Sequence, residues 1–107
     1  MLIPTPRVLP AAALLALLVA ATPSTAQTDL VARGLAATCA NCHGTNGQAR
    51  GDIWPLAGMP ADKLIALLND YKSGAQPATV MHQIAKGYTD AQIRLIAAYF
   101  AAQPAKN

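Results

Sequence analysis

Cys39-Ala40-Asn41-Cys42-His43 is the stretch whose residue types and spacing most clearly encode chemistry. Two cysteines three positions apart, followed at once by a histidine, read as a site for covalent attachment of haem c. Each thiol can add to one vinyl group of the porphyrin and form a thioether. The histidine then lies where an imidazole nitrogen can bind the iron. Cys39 and Cys42 are the only cysteines of the 107 residues, and the motif uses both.

Three other uses of these residues compete. A redox dithiol of the thioredoxin kind needs a strand–helix–strand setting, and no strand-like alternation surrounds the motif. A zinc site drawn from Cys39, Cys42, His43 and His82 would force adjacent residues into one tetrahedral shell, and its second ligand pair lacks the usual spacing. A structural disulfide leaves His43 without a role.

A histidine-bound haem iron needs a decision about its other face. A thioether there closes the site for electron transfer and raises the potential, whereas a vacant position binds gases or peroxide. Met1, Met59 and Met81 are the methionines. Met1 belongs to the leader described below. Met81 sits in an irregular stretch after the second helix of the mature chain and just ahead of the last, where a loop can wrap to the opposite haem face. Met59 lies close to the His43 side and reads as a core gap-filler before a helix. Met81 is therefore the expected sixth ligand, and His82 beside it reads as a surface residue. In Ile53-Trp54-Pro55-Leu56-Ala57-Gly58 a proline carbonyl is available to accept a hydrogen bond from the other ring nitrogen of His43, which would orient the imidazole and strengthen it as a ligand. Pro55 is the candidate. Trp54 reads as a packing residue or part of the haem wall.

The elements that must position these residues follow from pattern. Met1 to Arg7 is short with one positive charge, Val8 to Ala21 is almost unbroken Ala, Leu and Val, and Ser24-Thr25-Ala26 supplies small residues for cleavage. That order is a secretory signal peptide. The apolar run is shorter than the roughly 20 residues a spanning helix needs. Residues 1–26 are thus expected to be removed after Ala26, leaving a single domain of residues 27–107 in the periplasm, with no membrane span in the mature chain.

These 81 residues lie near the size at which an apolar core alone is marginal. A buried porphyrin supplies the missing apolar surface. Seven basic side chains face five acidic ones in this part, too even a balance for a nucleic-acid binder.

The mature chain reads as all-α. Thr28 is a candidate N-cap with Asp29 in the first turn of a helix that runs into Cys39. Ala32 and Gly34 are either close-contact positions or neutral surface. Gly44 to Asp52, with three glycines, is a loop. Pro60 suits the first turn of a second helix, with Leu64, Ile65, Leu67, Leu68 and Tyr71 on its apolar face, Lys72 on its wet side and Gly74 as its stop. His82 to Lys86 makes one short turn. Thr89-Asp90-Ala91-Gln92 is a capping box. It opens a last helix with Ile93, Ile96, Ala97 and Phe100 on one stripe, ended by Gln103-Pro104.

With these pieces in order, the chain resembles a small bacterial class I cytochrome c. The matches are Cys39 to Gly44, Trp54 to Gly58, Met81, and Tyr88-Thr89-Asp90 leading into Ile96-Ala97-Ala98-Tyr99-Phe100. Within the class, Ala78 to Asp90 is most similar to the cytochrome subunit of flavocytochrome c sulfide dehydrogenase. The resemblance implies an all-α fold wrapped around one covalent haem c, with first and last helices crossing near Tyr99. It also implies axial ligands His43 and Met81, with Pro55 as the partner of His43. At the subfamily level it implies a partner flavoprotein that bears the FAD, oxidises sulfide and passes electrons singly to this haem. Some subunits of that subfamily carry two haems, whereas this chain has one attachment motif.

Three functions are compatible with these readings: a cytochrome subunit of a flavoprotein dehydrogenase, a free shuttle between respiratory complexes or other redox proteins, and a ligand-binding or peroxidase haem protein. No acid–base pair is placed for catalysis, so the chain is not expected to be an enzyme by itself.

Overall fold

The computed structural model describes residues 1–5 and 24–105; the apolar leader segment lies outside them. Five α-helices follow one another: α1 (Thr25–Ala37), α2 (Ala40–His43), α3 (Ala61–Ser73), α4 (Met81–Lys86) and α5 (Asp90–Ala101). A 3₁₀ turn at Thr45–Gly47 follows α2, and no strand occurs among the described residues. The helix α1 packs on α5, and α3 packs on both α4 and α5.

The core is the meeting of three apolar stripes. On α5, Ile93, Ile96, Ala97 and Phe100 recur at helical spacing and are each at most 2% exposed, the face that the sequence pattern marks. Leu64 and Leu68 of α3 join them, as do Ala36 of α1 and Ala85 of α4. In α1 the close-packed positions are Ala32 and Ala36. Gly34 is exposed with open space beside its Cα, so it takes no part in a close helix contact.

Helix ends follow local chemistry, with some departures from expectation. Thr89 and Gln92 form the capping box in both directions, Gln92 N–H to Thr89 Oγ1 at 3.2 Å and Thr89 N–H to Gln92 Oε1 at 2.9 Å. Gly74 ends α3 in the left-handed conformation, φ +83°. In the chain that still carries Ser24 to Ala26, Thr28 lies inside α1 and is not its cap. The helix starts at Thr25 with Ser24 as its cap, whose Oγ accepts from Gln27 N–H at 3.3 Å. Ser24 competes successfully because Thr25-Ala26-Gln27 continues the helix without a breaker. Asp29 consequently lies beyond the first turn. Pro60 stands one place before α3 as its N-cap, not within the first turn. The last helix stops at Ala101, short of Gln103-Pro104.

Lys72 is not on the wet side. It donates to the Tyr88 carbonyl at 2.7 Å and stands 3.7 Å from Asp90, tying the end of α3 to the turn before α5.

Candidate haem site

The motif occupies the short helix α2. Cys39 is its N-cap, and His43 N–H bonds to the Cys39 carbonyl at 2.9 Å. One helical turn therefore carries both cysteines and the histidine, since positions three and four apart share a face. Both cysteines are free, Cys39 half-buried and Cys42 exposed. Burial pushes the Cys39 thiol up, and the neighbouring Cys42 adds to that rise.

Thr38 is itself engaged on both sides. Its hydroxyl donates to the Leu35 carbonyl at 2.8 Å. Having spent its one proton, it accepts from the Tyr88 hydroxyl. The approach to Cys39 is thus joined to the turn that follows α4.

His43 is half-buried. Its Nδ1 lies 2.6 Å from the Trp54 carbonyl oxygen. A carbonyl only accepts, so Nδ1 carries the proton and Nε2 keeps its lone pair for a metal. This corrects the expected acceptor, which was Pro55. The ring of Pro55 instead biases the residue before it toward extended backbone, and it is that residue's carbonyl that meets the imidazole.

The loop that delivers Trp54 is pinned at several points. The Gly47 carbonyl accepts from Leu56 N–H at 2.9 Å and from Ala57 N–H at 3.1 Å, and Gly58 N–H donates to the Phe100 carbonyl at 2.9 Å. Gly47 has φ +77°, and a Cβ there would come within 2.7 Å of Ala57 N and 2.8 Å of Phe100, so only glycine fits. Gly44, φ +81°, faces the Gln48 carbonyl too closely for any side chain. Asn46 holds φ +54°, and its Oδ1 accepts from the Tyr99 hydroxyl at 2.6 Å. Tyr99, on the helix that packs against α1, thereby links the terminal helices to the loop.

The two methionines part company. Met59 is a core member, 8% exposed. Met81 is half-buried at the first position of α4, packed against the edge of the core. It lies in the first turn of a helix and not in the irregular stretch expected for it. His82, read from sequence as a surface residue, is also half-buried. Its Nε2 lies 3.0 Å from the Gln76 carbonyl and its ring stands edge-on to Tyr71. No local pattern announces that contact, because it joins a loop to a helix six positions on.

The alternatives to haem find no support in this geometry. Among the described residues no three His, Cys, Asp or Glu side chains are grouped as a metal site, so Cys39, Cys42, His43 and His82 do not assemble as a zinc set. The two thiols are not joined as a disulfide.

The residues do fit a porphyrin. Two free thiols sit one helical turn apart, and an imidazole is held with Nε2 unused. Large apolar side chains are uncovered on the segments that carry His43's acceptor and Met81: Ile53 at 46%, Trp54 at 64%, Val80 at 56% and Ile84 at 41% exposed. An apolar macrocycle is the kind of body that such side chains cover. Lys63 stands 5.8 Å from the centre of the Trp54 ring and helps to orient it.

Comparison with known proteins agrees. The family model described as Cytochrome c matches residues 31–103. The cytochrome subunit of sulfide dehydrogenase from Chlorobaculum tepidum is 41% identical over 73 residues, covering 68% of this chain and 66% of that protein. Cytochrome c-552 from Acidithiobacillus ferridurans is 41% identical over 61 residues, covering 57% of this chain and 26% of that protein. The chain thus spans just under two thirds of the first relative's length and about a quarter of the second's. Among solved structures, a cytochrome c4 from Acidithiobacillus ferrooxidans superposes with a TM-score of 0.58 at 39% identity, over 60% of this chain and 37% of that one. The chain belongs to the cytochrome c family: it is an all-α protein of class I type, built for one covalently bound haem c.

Proposed function

We propose that this protein is the electron-accepting cytochrome subunit of a flavoprotein sulfide dehydrogenase. It would be exported to the periplasm and cleaved after Ala26, so that residues 27–107 form the working domain. The observation that carries the reading is the 41% identity to a sulfide dehydrogenase cytochrome subunit across most of the mature region. No helix among the described residues is long and apolar enough to cross a membrane, which accords with that location.

In this reading Cys39 and Cys42 would hold the haem through thioethers, and His43 Nε2 and the Met81 sulfur would be the residues that bind its iron. The bound haem supplies a one-electron site. The chain's own residues keep that site fixed. The Trp54 carbonyl holds the imidazole in one tautomer and one orientation and makes it a better donor. The thioether of Met81 favours the reduced state and raises the potential. With both axial positions filled from the chain, substrate has no place to bind. Chemistry on sulfide would then fall to the FAD of the partner, with this chain's haem as a one-electron acceptor.

Purification of the native periplasmic protein with whatever accompanies it, followed by absorption spectroscopy, tests this. Haem c that co-elutes with flavin and is reduced on adding sulfide supports the dehydrogenase subunit. Haem c free of flavin and indifferent to sulfide identifies a free shuttle, the second reading, which the likeness to cytochrome c-552 accommodates. Carbon monoxide binding to the reduced native protein would contradict both, because it requires a vacant sixth position.

A further inference from the structure

Met81 stands at the start of a helix that has no side-chain cap. Val80 occupies the N-cap position of α4 and makes no capping hydrogen bond. The remaining local bonds, Gln83 N–H and Ile84 N–H to the Val80 carbonyl at 3.1 and 3.2 Å, lie within that first turn and do not fasten it to the rest of the molecule. A helix of six residues is too short to be stable by itself. The position of Met81 therefore depends on what ties the first turn of α4 to its surroundings.

His82 is such a tie. Its Nε2 lies 3.0 Å from the Gln76 carbonyl. Since the carbonyl only accepts, Nε2 bears the proton. The ring also stands edge-on to Tyr71 of α3, centroids 6.3 Å apart at 79°. Gln76 is not a loose partner. Its own N–H donates to the Asp70 carbonyl at 3.2 Å, Ala75 N–H donates to Ser73 Oγ at 3.3 Å, and Gly74 N–H to the Tyr71 carbonyl at 3.3 Å. Residues 74–76 are thus stapled to the last turn of α3. Among the described residues of 80–84, His82 is the one whose side-chain hydrogen bond reaches out of α4. It reaches a point that α3 holds rigidly.

We infer that His82 is a positioning residue for Met81: its hydrogen bond to the Gln76 carbonyl and its packing on Tyr71 fasten the start of α4 to α3 and hold the methionine thioether on the iron. This rests on the reading of Met81 as the sixth ligand. A ligand on a fastened segment is displaced less readily, because displacement must also break the fastening. The net worth of one such hydrogen bond corresponds to a change on the order of two- to tenfold in an equilibrium.

Imidazole added to the oxidised holoprotein is the probe, since it competes with Met81 for the iron. His82→Phe keeps a ring on Tyr71 and removes the donor. His82→Gln keeps an N–H donor. The expected result is imidazole binding on the order of two- to tenfold tighter in His82→Phe than in the wild type, with His82→Gln returned toward the wild-type value. Unchanged imidazole affinity in His82→Phe would overturn the role of His82, as would equal tightening in both variants, which would show that the donor is irrelevant. Met81→Ala is the control for the underlying assignment. It should lose the sulfur-to-iron charge-transfer band and bind imidazole more tightly than either His82 variant. A Met81→Ala protein that retains the band would overturn the ligand assignment and with it the inference.

Discussion

The two sides of this small protein are finished differently. Where α5 meets α1 and α3, Ile93, Ile96, Ala97 and Phe100 are shut away almost completely, and a two-way capping box starts the helix. Along α2, the Gly44–Gly58 loop and α4, the helices are one or two turns long, and Ile53, Trp54, Val80 and Ile84 are uncovered. The first side is a core that the polypeptide completes from its own side chains. The second leaves large apolar side chains on short, hydrogen-bonded segments for another apolar body to cover. Stability and redox chemistry are therefore assigned to different residues, even in a chain this short.

The largest test of that division removes the filling. A Cys39→Ser/Cys42→Ser double variant should reach the periplasm without covalent haem, seen as the missing haem mass. It should also lose its cooperative thermal transition in circular dichroism, because a domain near 80 residues has little core to spare. Full native helicity and an unchanged melt would mean that the sealed side folds without help, and the contrast would fail. Next in size, Phe100→Ala should cost about 3–5 kcal/mol in denaturant unfolding of the holoprotein while leaving the axial-ligand spectrum unchanged. A changed spectrum would show that the two sides are coupled more tightly than their packing indicates. Smaller again, Thr89→Ala should cost about 1 kcal/mol through the lost cap of α5, read as a shift in denaturant midpoint at constant slope.

Much of the sealed side was legible in the sequence, because its signals are local. The stripe of Ile93, Ile96, Ala97 and Phe100 needs only helical period to be recognised. Thr89 with Gln92 is a cap that the residues announce by type and spacing, and Gly74 stops α3 for a reason of backbone conformation. The all-α class and the single haem followed from the same economy, one five-residue motif and no strand pattern.

The framed side was less legible, because its contacts join residues distant in sequence through backbone atoms that every residue has. Pro55 marked the right stretch but not the right carbonyl; nothing in residue type says which of two neighbouring carbonyls faces an imidazole. Lys72 looked solvated by its place on α3, and the turn at Tyr88 that engages it comes 16 positions later. His82 read as surface for the same reason. At the start of α1, Ser24 and Thr28 are both good caps by type. In the chain that still carries the leader, Thr25, Ala26 and Gln27 join the helix and Ser24 is the cap; cleavage after Ala26 would remove that cap.

The two methionines bring the contrast to a single point. The structure puts Met59 inside the sealed core and leaves Met81 at the open edge, and the account gives them opposite roles. The most direct test is the absorption spectrum of the oxidised holoprotein in Met81→Ala beside Met59→Ala, with a thermal melt of each. The account expects Met81→Ala to lose the sulfur-to-iron charge-transfer band. Met59→Ala should keep the band and lose about 2–5 kcal/mol of stability, the cost of emptying a buried methionine site. Loss of the band in Met59→Ala, with its retention in Met81→Ala, would contradict the account at its centre.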